Sequence, residues 1–416
     1  MVNAGWCSWG TRETAPAGAS HRIFYTSIYF FVYCSADAGP QNQGPRAEPS
    51  ARAPPGQSLF RIQRIQVIHL RGIFATMSGS NGTVLVAALD WGLGHATRSV
   101  RIIRRLQAEG RKVILASAGG GYDFYKRYFP ELEVIRKPGY HIKYYRLLTT
   151  SLSVIIQIPK MLLAIRREHR WLEKVIEEYK IEEVVSDNCY GLWNKKIRSV
   201  LITHQLQVKC PPLLRSFEAY CRKKIGTLVN NFDECQVPDF QDANNLSGEL
   251  SHIDTLPSNV KFIGPLSRFP VNEIFRTELS FEVVVLLSGP EPQRSIFENK
   301  CREILRGTDL KTCILRGRPA RMKSVTYGNV TTFNHANDEE LQALLSNAQL
   351  IICRSGYSTM MDLYALGLSA LLVPTPGQTE QEYLATYHSS RGMKMCSQDD
   401  LSLERISASL ELYQVL

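Results

Sequence analysis

Apolar runs alternate with amphipathic stretches from Thr83 onward, and this alternation is typical of a parallel α/β protein. Residues 83–89 form a nearly continuous apolar run, which predicts a strand buried on both faces. The next stretch places apolar side chains on one helical face and ends at Gly110. Further strands of a first domain are predicted at residues 113–117, 131–135, 183–186, 200–203, 227–230 and 260–263.

The alternation stops over residues 264–279, which are rich in proline and polar residues, and then restarts. The second set of predicted strands lies at residues 283–287, 312–315, 330–333, 350–353 and 370–373. The helices between them are predicted at residues 295–305, 338–347, 358–366 and 381–389. The sequence therefore predicts two Rossmann-like parallel-sheet domains of the α/β class, residues 77–264 and 281–416, joined by a linker at 265–280. Facing each other, they would put the carboxyl ends of both sheets around one cleft, where such sheets bind ligands.

The first 76 residues differ from the rest, with no lysine, seven arginines, six prolines and a low-complexity stretch at 39–55. We expect residues 1–76 to be a non-native or disordered extension before a working start at Met77. Their apolar run, residues 23–34, is similar to a signal-peptide core but lacks the usual short basic start. A signal peptide is the alternative interpretation.

Lysine and arginine outnumber aspartate and glutamate by 49 to 39, and this net charge of +10 is typical of proteins that work beside phosphates, acidic lipids or nucleic acids. No run reaches the roughly 18 to 20 apolar residues that cross a bilayer. The ten cysteines are scattered, so neither a zinc site nor a disulfide framework is predicted, and a cytoplasmic location fits best. Nucleic-acid binding is not predicted either, because no element interleaves basic and aromatic residues.

The loop after the first predicted strand combines glycines with a histidine. Gly92 and Gly94 permit close backbone approach, and the following helix start offers N–H groups to an anion or a sugar hydroxyl. Thr97 stands where a dinucleotide fingerprint has its third glycine, so a dehydrogenase is not predicted. His95 titrates near neutrality and is a candidate general base, with Asp90 as a rival; a structural loop histidine is the alternative.

A longer constellation occupies residues 353–381. Glycine and polar residues at the end of a predicted strand and the start of the next helix suit a diphosphate: Arg354, Ser355, Gly356, Ser358 and Thr359. Asp362 lies one helical turn further on and could accept both hydroxyls of a ribose. A carboxylate that stabilises the helix dipole is the alternative for Asp362.

This combination resembles glycosyltransferase family 28 and its two-domain GT-B fold. The similarity extends over roughly residues 83–389 and is strongest from 353 to 382. The resemblance implies that the glycine loop carries a candidate base at His95, that Asp362 holds a ribose and that Gln381 holds sugar hydroxyls. It also places Gln378 in the nucleotide-sugar site. The segment 262–265 also resembles the end of the family's acceptor domain.

The chain also departs from the family pattern. The family's Gly-Gly-Ser loop is replaced here, so only Ser288, Gly289 and Arg294 are expected phosphate contacts. Asp362 stands where the family usually has a longer glutamate. The acceptor side matches poorly, and a peptidoglycan acceptor does not follow.

Other polar residues follow predicted strands of the first domain. Asp187, Asn188 and His204 are candidates for acceptor contacts or for orienting His95, with ordinary helix caps as the alternative for the first two. Residues 146–170 are apolar with a basic border, as in a segment that docks on an anionic leaflet; a core helix is the alternative.

The leading hypothesis is inverting, metal-independent transfer of a hexose or N-acetylhexosamine from a nucleoside diphosphate sugar, expected to be UDP-linked. The acceptor is an unidentified hydroxyl, and one candidate is a lipid-linked acceptor of the cell envelope. The protein would then work at the inner face of the cytoplasmic membrane. His95 or Asp90 would deprotonate the acceptor, while the helix start with Arg354 or Arg294 would meet the leaving diphosphate, so no metal or other cofactor is predicted. Residues 94–98 also resemble a loop of a nucleotide-sugar hydrolase, in which His95 would activate water. A non-catalytic nucleotide-sugar-binding subunit is the third hypothesis.

Overall fold

The computed structural model describes residues 82–143, 153, 155–270, 280–318 and 324–414, with the side chains of 413 and 414 left out. The predicted extension at 1–76 lies outside these residues. So do 271–279 of the predicted linker and 146–152 of the apolar segment. The domain boundaries themselves stay predictions.

The first sheet has seven parallel strands in the order β3-β2-β1-β4-β5-β6-β7. Its strands are β1 (Thr83–Ala88), β2 (Lys112–Ser117), β3 (Glu133–Arg136), β4 (Ile181–Asp187), β5 (Arg198–Ile202), β6 (Glu234–Val237) and β7 (Val260–Phe262). β4 pairs with β1 so that Asp187 lies opposite Ala88. The carboxyl ends of the central strands therefore meet at one edge, next to the glycine loop.

The second sheet has the order β10-β11-β9-β8-β12-β13-β14 and is parallel except for the β10–β11 hairpin. Its strands are β8 (Val283–Leu286), β9 (Thr312–Leu315), β10 (Ser324–Tyr327), β11 (Val330–Phe333), β12 (Leu350–Cys353), β13 (Leu371–Leu372) and β14 (Lys394–Met395). The predicted class of two parallel-sheet α/β domains is confirmed.

Helices connect the strands, as the sequence pattern predicts. In the first domain they are α1 (Leu93–Ala108), α2 (Gly119–Tyr128), α3 (Ile158–Tyr179) and α4 (Glu218–Val229). In the second domain they are α5 (Gln293–Leu305), α6 (Asp338–Ser346), α7 (Tyr357–Leu366), α8 (Thr379–Ser389) and α9 (Leu403–Gln414).

The predicted strand at 227–230 is wrong, because these residues end α4. Val229 is fully buried and packs with Phe232 and Cys235, so tertiary packing overrides the local β propensity. The strand of this region is β6, a short edge-proximal segment whose mixed composition gave no clear apolar run.

The two domains share one apolar cluster. Tyr357, Met361 and Leu384 of the second domain are buried in the same cluster as Val100 and Ile202 of the first. Since burial of apolar surface is the main favourable contribution to association, this contact holds the start of α7 against the first sheet.

Candidate active site

The first half of the site begins where β1 leads into α1. Gly92 caps α1 with a φ of 120°, a conformation that side-chain-bearing residues rarely adopt. α1 then begins at Leu93 without a side-chain cap and without an acidic residue in its first turn. This turn carries His95, which is partly exposed.

His95 pairs with Asp187 at the carboxyl end of β4. The Nδ1 atom of His95 lies 2.7 Å from Oδ1 of Asp187, whose side chain is only 1% exposed, against 17% for His95. Because the Asp187 carboxylate can only accept, this shorter contact favours the ring proton on Nδ1, although Nη2 of Arg98, a donor, also lies 3.0 Å from the same nitrogen. The lone pair is therefore on Nε2, the tautomer that a general base needs. The prediction that Asp187 orients His95 agrees with this geometry.

Arg98, one helical turn after His95, completes the pair. Its Nε donates to Oδ2 of Asp187 at 2.5 Å, and its Nη2 donates to Oδ1 of the same carboxylate. This fork neutralises a carboxylate that water does not reach. Asp187 thus cannot serve as an exposed base, and its prediction as an ordinary helix cap is wrong, since β4 is followed by a turn and then β5.

Burial and neighbouring charges shift the pKa values of Asp187 and His95. Burial alone would raise the pKa of Asp187, but Arg98 and His95 lower it below its ordinary value. Burial, followed by the charge of Arg98, lowers the pKa of His95, although Asp187 acts in the opposite direction. This lowering of the pKa favours the unprotonated imidazole, the form that a base needs.

His204 extends the network to the second domain. Its Nδ1 lies 3.2 Å from Nη1 of Arg98, and its Nε2 lies 3.1 Å from Oε1 of Glu380 on α8. Its ring stacks on Tyr357 with 4.1 Å between centroids. Both ring nitrogens of His204 therefore have side-chain neighbours, and its predicted roles in acceptor contact and in orienting His95 stay predictions. Sequence reasoning missed Arg98 and Glu380, because only the fold brings them to His95.

Asn188 and Asp90 have local partners. The Oδ1 of Asn188 accepts a hydrogen bond from the Thr203 hydroxyl at 2.9 Å, which ties the ends of β4 and β5 together. Asn188 is buried and begins no helix, so its predicted roles as an acceptor contact and as a helix cap are corrected to this strand-end tie. Asp90 accepts from the backbone N–H of Tyr140 at 3.3 Å, and its role as a rival base stays a prediction.

The glycine loop contacts the start of α7 directly. The Ser358 hydroxyl donates to the carbonyl of Gly94 at 3.2 Å. A Cβ at Gly94 would lie 2.9 Å from the Ser358 oxygen, so a glycine is needed for this approach. The loop that carries His95 and the helix start that was predicted to hold the diphosphate are therefore neighbours.

The start of α7 is electrostatically open. Gly356 caps the helix, with no side-chain cap and no acidic residue in the first turn. By contrast, α6 begins with a capping box and three acidic residues. No atom lies within 4 Å of where a Cβ of Gly356 would stand. The N-terminus of α7 keeps its partial positive charge and has room for an anion beside it.

Arg354 does not face this space, and its predicted role as a diphosphate contact is wrong. Its side chain is 0% exposed, and its guanidinium donates to the carbonyls of Val373 and Pro374, each at 3.0 Å, and to Gln398 at 2.6 Å. The guanidinium also lies over the ring of Phe297. Burial without a carboxylate partner lowers the pKa of Arg354 to about 10. Arg354 holds β12 and β13 to their surroundings.

The remaining donor-side residues have partners that fix their positions. The Ser355 hydroxyl donates to the carbonyl of Gln381 at 2.6 Å, and the side-chain oxygen of Gln381 accepts from the N–H of Thr375 at 2.8 Å. Gln378 caps α8 through the N–H of Gln381. The amide nitrogen of Gln381 remains a donor for a ligand, and Thr359 is partly exposed on α7; their predicted roles stay predictions.

Asp362 lies on α7 beside the first-domain end of the predicted linker. Its carboxylate accepts from the Ser267 hydroxyl at 2.7 Å and lies 3.5 Å from Nη2 of Arg268. Burial raises the pKa of Asp362, and Arg268 opposes this rise. The ribose assignment stays a prediction, and any ribose would have to compete with Ser267 and Arg268 for the carboxylate.

The loop after β8 contains a charged cluster. Arg294 donates through Nη2 to Glu291 at 2.5 Å, and Arg318 donates to the same oxygen at 2.8 Å. Gly289 is exposed with a φ of 90°, and Ser288 is partly exposed. The phosphate roles of Ser288, Gly289 and Arg294 stay predictions. The sequence interpretation missed Glu291 and Arg318, which share this cluster.

Two kinds of feature are absent from the described residues. Among them, no three or more His, Cys, Asp or Glu side chains gather as metal ligands would. In the same part of the chain, no helix has the length and apolar character of a membrane span.

The C-terminal end of the chain decides the family. Residues 314–414 match the profile of the glycosyltransferase family 28 C-terminal domain. Over these residues the chain is similar to glycosyltransferase family 28. The predicted resemblance is thereby confirmed, and the matched range of this family 28 domain includes the start of α7 and all of α8.

Two relatives and one solved structure are similar to this chain. A UDP-N-acetylglucosamine–N-acetylmuramyl-(pentapeptide) pyrophosphoryl-undecaprenol N-acetylglucosamine transferase of Desulforudis audaxviator is 42% identical over 88 residues, 21% of this chain and 22% of that one. The match thus spans about a fifth of that enzyme's length. A protein of Methanosarcina acetivorans named as an uncharacterized glycosyltransferase is 24% identical over 324 residues, 73% of this chain and 80% of its own. The crystal structure of the glycotransferase of kitacinnamycin has a TM-score of 0.54 at 18% identity over 80% of this chain and 90% of its own. This likeness confirms the predicted GT-B fold.

Proposed function

We propose that the chain is a glycosyltransferase that moves a sugar from a nucleoside diphosphate sugar to an acceptor hydroxyl with inversion at the anomeric carbon. One observation carries the proposal. An oriented, unprotonated histidine on α1 and the uncapped start of α7 lie next to each other, joined by the Ser358 to Gly94 hydrogen bond. A base beside an anion-binding helix start is the pair of groups that sugar transfer from a diphosphate requires.

In the proposed reaction, Nε2 of His95 takes the proton of the acceptor hydroxyl. The acceptor oxygen forms its bond to the anomeric carbon while the bond from that carbon to the diphosphate oxygen breaks. Asp187 stabilises the imidazolium that forms, because its carboxylate already accepts from Nδ1 at 2.7 Å. The leaving nucleoside diphosphate takes the negative charge, which the N–H groups at the start of α7 would meet without a metal.

We further propose a UDP-linked hexose or N-acetylhexosamine as the donor. The support is the local 42% identity to a transferase whose name specifies UDP-N-acetylglucosamine. That name also specifies a pyrophosphoryl-undecaprenol acceptor, which supports a lipid-linked acceptor for this chain at the inner face of the cytoplasmic membrane. No cofactor is proposed, and nucleic acid is not a proposed partner.

A surface of the first domain supports the lipid-linked acceptor. Leu162 and Leu163 on α3 are 53% and 50% exposed, and Ile156 just before the helix is 51% exposed. Exposed Arg166 and Arg167 follow on the same helix, whose buried residues are Ala164, Glu168, Leu172 and Val175. The core-helix alternative is therefore wrong for these two leucines. An exposed apolar patch with a basic border suits an anionic bilayer surface.

A donor panel tests the proposal. Purified chain is heated with a series of nucleotide sugars, and the true donor at 100 times its dissociation constant adds about 2.7 kcal/mol of stability. The stabilising donor, labelled in the sugar, is then incubated with anionic vesicles that contain extracted bacterial lipids. Label in the lipid fraction supports transfer, and stabilisation by none of the nucleotide sugars would sink the proposal.

The same incubation without lipid separates the alternatives. Fast release of free sugar from the donor alone identifies a hydrolase in which His95 activates water. Donor binding with neither hydrolysis nor transfer identifies a non-catalytic binding subunit. The aligned His95 and Asp187 pair favours an enzyme, because a binding subunit has no use for an oriented base.

A further inference from the structure

Glu380 is the point at which the second domain enters the network around the base. It is the second residue of α8, and its side chain contacts His204 and Gln205 of the first domain. Its side chain is 19% exposed. Although burial would raise the pKa of Glu380, His204 lowers it, so the side chain is a carboxylate that only accepts hydrogen bonds.

Hydrogen-bond direction fixes the chain of contacts from Glu380 to His95. Arg98 can only donate, so Nδ1 of His204, at 3.2 Å from it, must accept. The single ring proton of His204 is then on Nε2 and points to Glu380 at 3.1 Å. Along this path Glu380 accepts from His204, His204 accepts from Arg98, and Arg98 donates to Asp187, while Nη2 of Arg98 also lies 3.0 Å from Nδ1 of His95.

Removal of the carboxylate releases this constraint. Without an acceptor at Nε2, His204 can place its proton on Nδ1, where it would face the Nη1 donor of Arg98. Two opposed donors cannot share that contact, so Arg98 must turn away from His204. The same guanidinium holds both oxygens of Asp187, and one of those oxygens fixes the ring of His95.

We propose that Glu380 is a positioning residue that fixes the tautomer and orientation of His95 through His204, Arg98 and Asp187. The donor domain thereby completes the base of the acceptor domain. This inference deepens the proposed function and rests on His95 being the base. It predicts that Glu380 governs the rate of proton removal and leaves the affinity for the donor unchanged.

A nuclear magnetic resonance experiment tests the positioning without relying on turnover. The full chain is labelled with 15N in its histidine rings, and the ring signals are assigned by His95→Gln and His204→Gln. Wild type should show His95 protonated at Nδ1 and His204 protonated at Nε2. Glu380→Ala should shift His204 toward the Nδ1 tautomer and reduce the Nδ1-protonated fraction of His95. Unchanged ring signals of His95 in this variant would overturn the proposal.

Two further variants are matched controls. Glu380→Gln keeps one oxygen that can accept from Nε2 of His204, so its ring signals should stay near those of wild type. Glu339→Ala removes an exposed carboxylate from the same second position of α6 and should change neither histidine. Equal changes in Glu339→Ala and Glu380→Ala would show a general helix-dipole effect and contradict the proposal.

Kinetics with the donor identified by the panel form a second test. Glu380→Ala should lower kcat by up to about 10²-fold, the loss that follows a small misplacement of a catalytic group. In a His95→Ala background the same change should have no further effect, because coupled residues are not additive. A multiplied loss in the double variant would show that Glu380 acts independently of His95 and would overturn the proposal.

Binding measurements exclude a sugar-ligand role. If Glu380 bound the donor sugar, Glu380→Ala would weaken binding of the nucleotide sugar and leave binding of the free nucleoside diphosphate unchanged. Equal affinities of wild type and variant for both ligands support positioning. Should wild type turn over no nucleotide sugar, the proposed function fails, whereas the ring signals still decide whether Glu380 positions His95.

Discussion

Arg98 and Arg354 are two buried arginines with opposite surroundings. Arg98 is 2% exposed and forks onto the Asp187 carboxylate, while Arg354 is 0% exposed and donates to main-chain carbonyls and one amide. The pKa of Arg354 falls to about 10, because burial is met by no carboxylate. For Arg98, the Asp187 carboxylate outweighs the same burial, and the pKa is raised.

The difference shows that a motif does not reveal what its charged residue does. Arg354 lies inside the segment that most resembles family 28, yet its guanidinium donates hydrogen bonds to the backbone of its own domain. Arg98 is not among the site residues predicted from the sequence, yet its guanidinium contacts His95, Asp187 and His204. The two arginines therefore differ in their partners. Arg98 contacts a titratable carboxylate of the candidate site, whereas Arg354 contacts main-chain carbonyls of its own domain.

The largest expected effect is on His95, the group that Arg98 supports and Arg354 does not. General-base catalysis is worth about 10²- to 10⁴-fold, so His95→Ala should lower turnover by that factor. Donor affinity, which the second domain sets, should change little. Steady-state kinetics and calorimetry measure the two quantities. Near-normal turnover in this variant would return His95 to a structural loop role and favour Asp90.

Arg98→Met should cost about 3 to 5 kcal/mol of folding stability, because it leaves the buried Asp187 carboxylate without its partner. Chemical denaturation measures this loss. The matched variant Arg101→Met changes an arginine on the same helix that is not part of the network. If Arg98→Met lost no more stability than Arg101→Met, the Asp187 carboxylate would not depend on Arg98. The proposed difference between Arg98 and Arg354 would then be wrong.

Arg354→Met should cost less, about 1 to 3 kcal/mol, because it leaves neutral acceptors and not a charge without a partner. In the folded fraction, donor affinity and kcat should equal those of wild type, since Arg354 touches no reacting group. A selective loss of donor affinity with unchanged stability would contradict this and restore the diphosphate role.

The pH profile sharpens the same contrast. The base must be unprotonated, and burial with Arg98 lowers the pKa of His95 below its ordinary 6.5. The acidic limb of kcat should therefore have its midpoint below pH 6.5, with a fall of about tenfold per unit beneath it. Arg98→Lys should keep this limb low, whereas Arg354→Met should leave it untouched. A midpoint above pH 6.5 in wild type would contradict the assignment of the limb to His95.

The smallest effect on stability is expected for the exposed leucines of α3, which lie beside exposed arginines. Leu162→Ser with Leu163→Ser should cost about 1 kcal/mol or less per residue, because both leucines are already half exposed. The pair should nevertheless release the protein from anionic vesicles in a sedimentation assay. Leu403→Ser with Leu412→Ser on α9 is the control and should leave vesicle binding intact. Retained binding by the α3 pair would refute the dock.

The sequence by itself determined most of the elements and the donor-side motif. Strands such as β1 and β12 are continuous apolar runs, and the helices between them have apolar faces at the helical period, so local patterning defines both. The loop with Gly92 and Gly94 is one continuous segment of the sequence, and the start of α7 is another. The residue types within each segment therefore indicate its chemistry without knowledge of the fold. The short strands β6 and β14 and the exposed hairpin strand β10 carry too few apolar residues for a pattern.

Only the tertiary structure decided which charged side chains form the site. His95 and Asp187 are 92 residues apart, and His204 and Glu380 are 176 residues apart. The pairing of β4 with β1 and the packing of α8 against the first domain bring these groups within hydrogen-bond distance. Hydrogen bonds and burial act over a few ångströms in space and leave no period in the sequence, so Arg354 looked functional and Arg98 and Glu380 looked ordinary until the fold placed them.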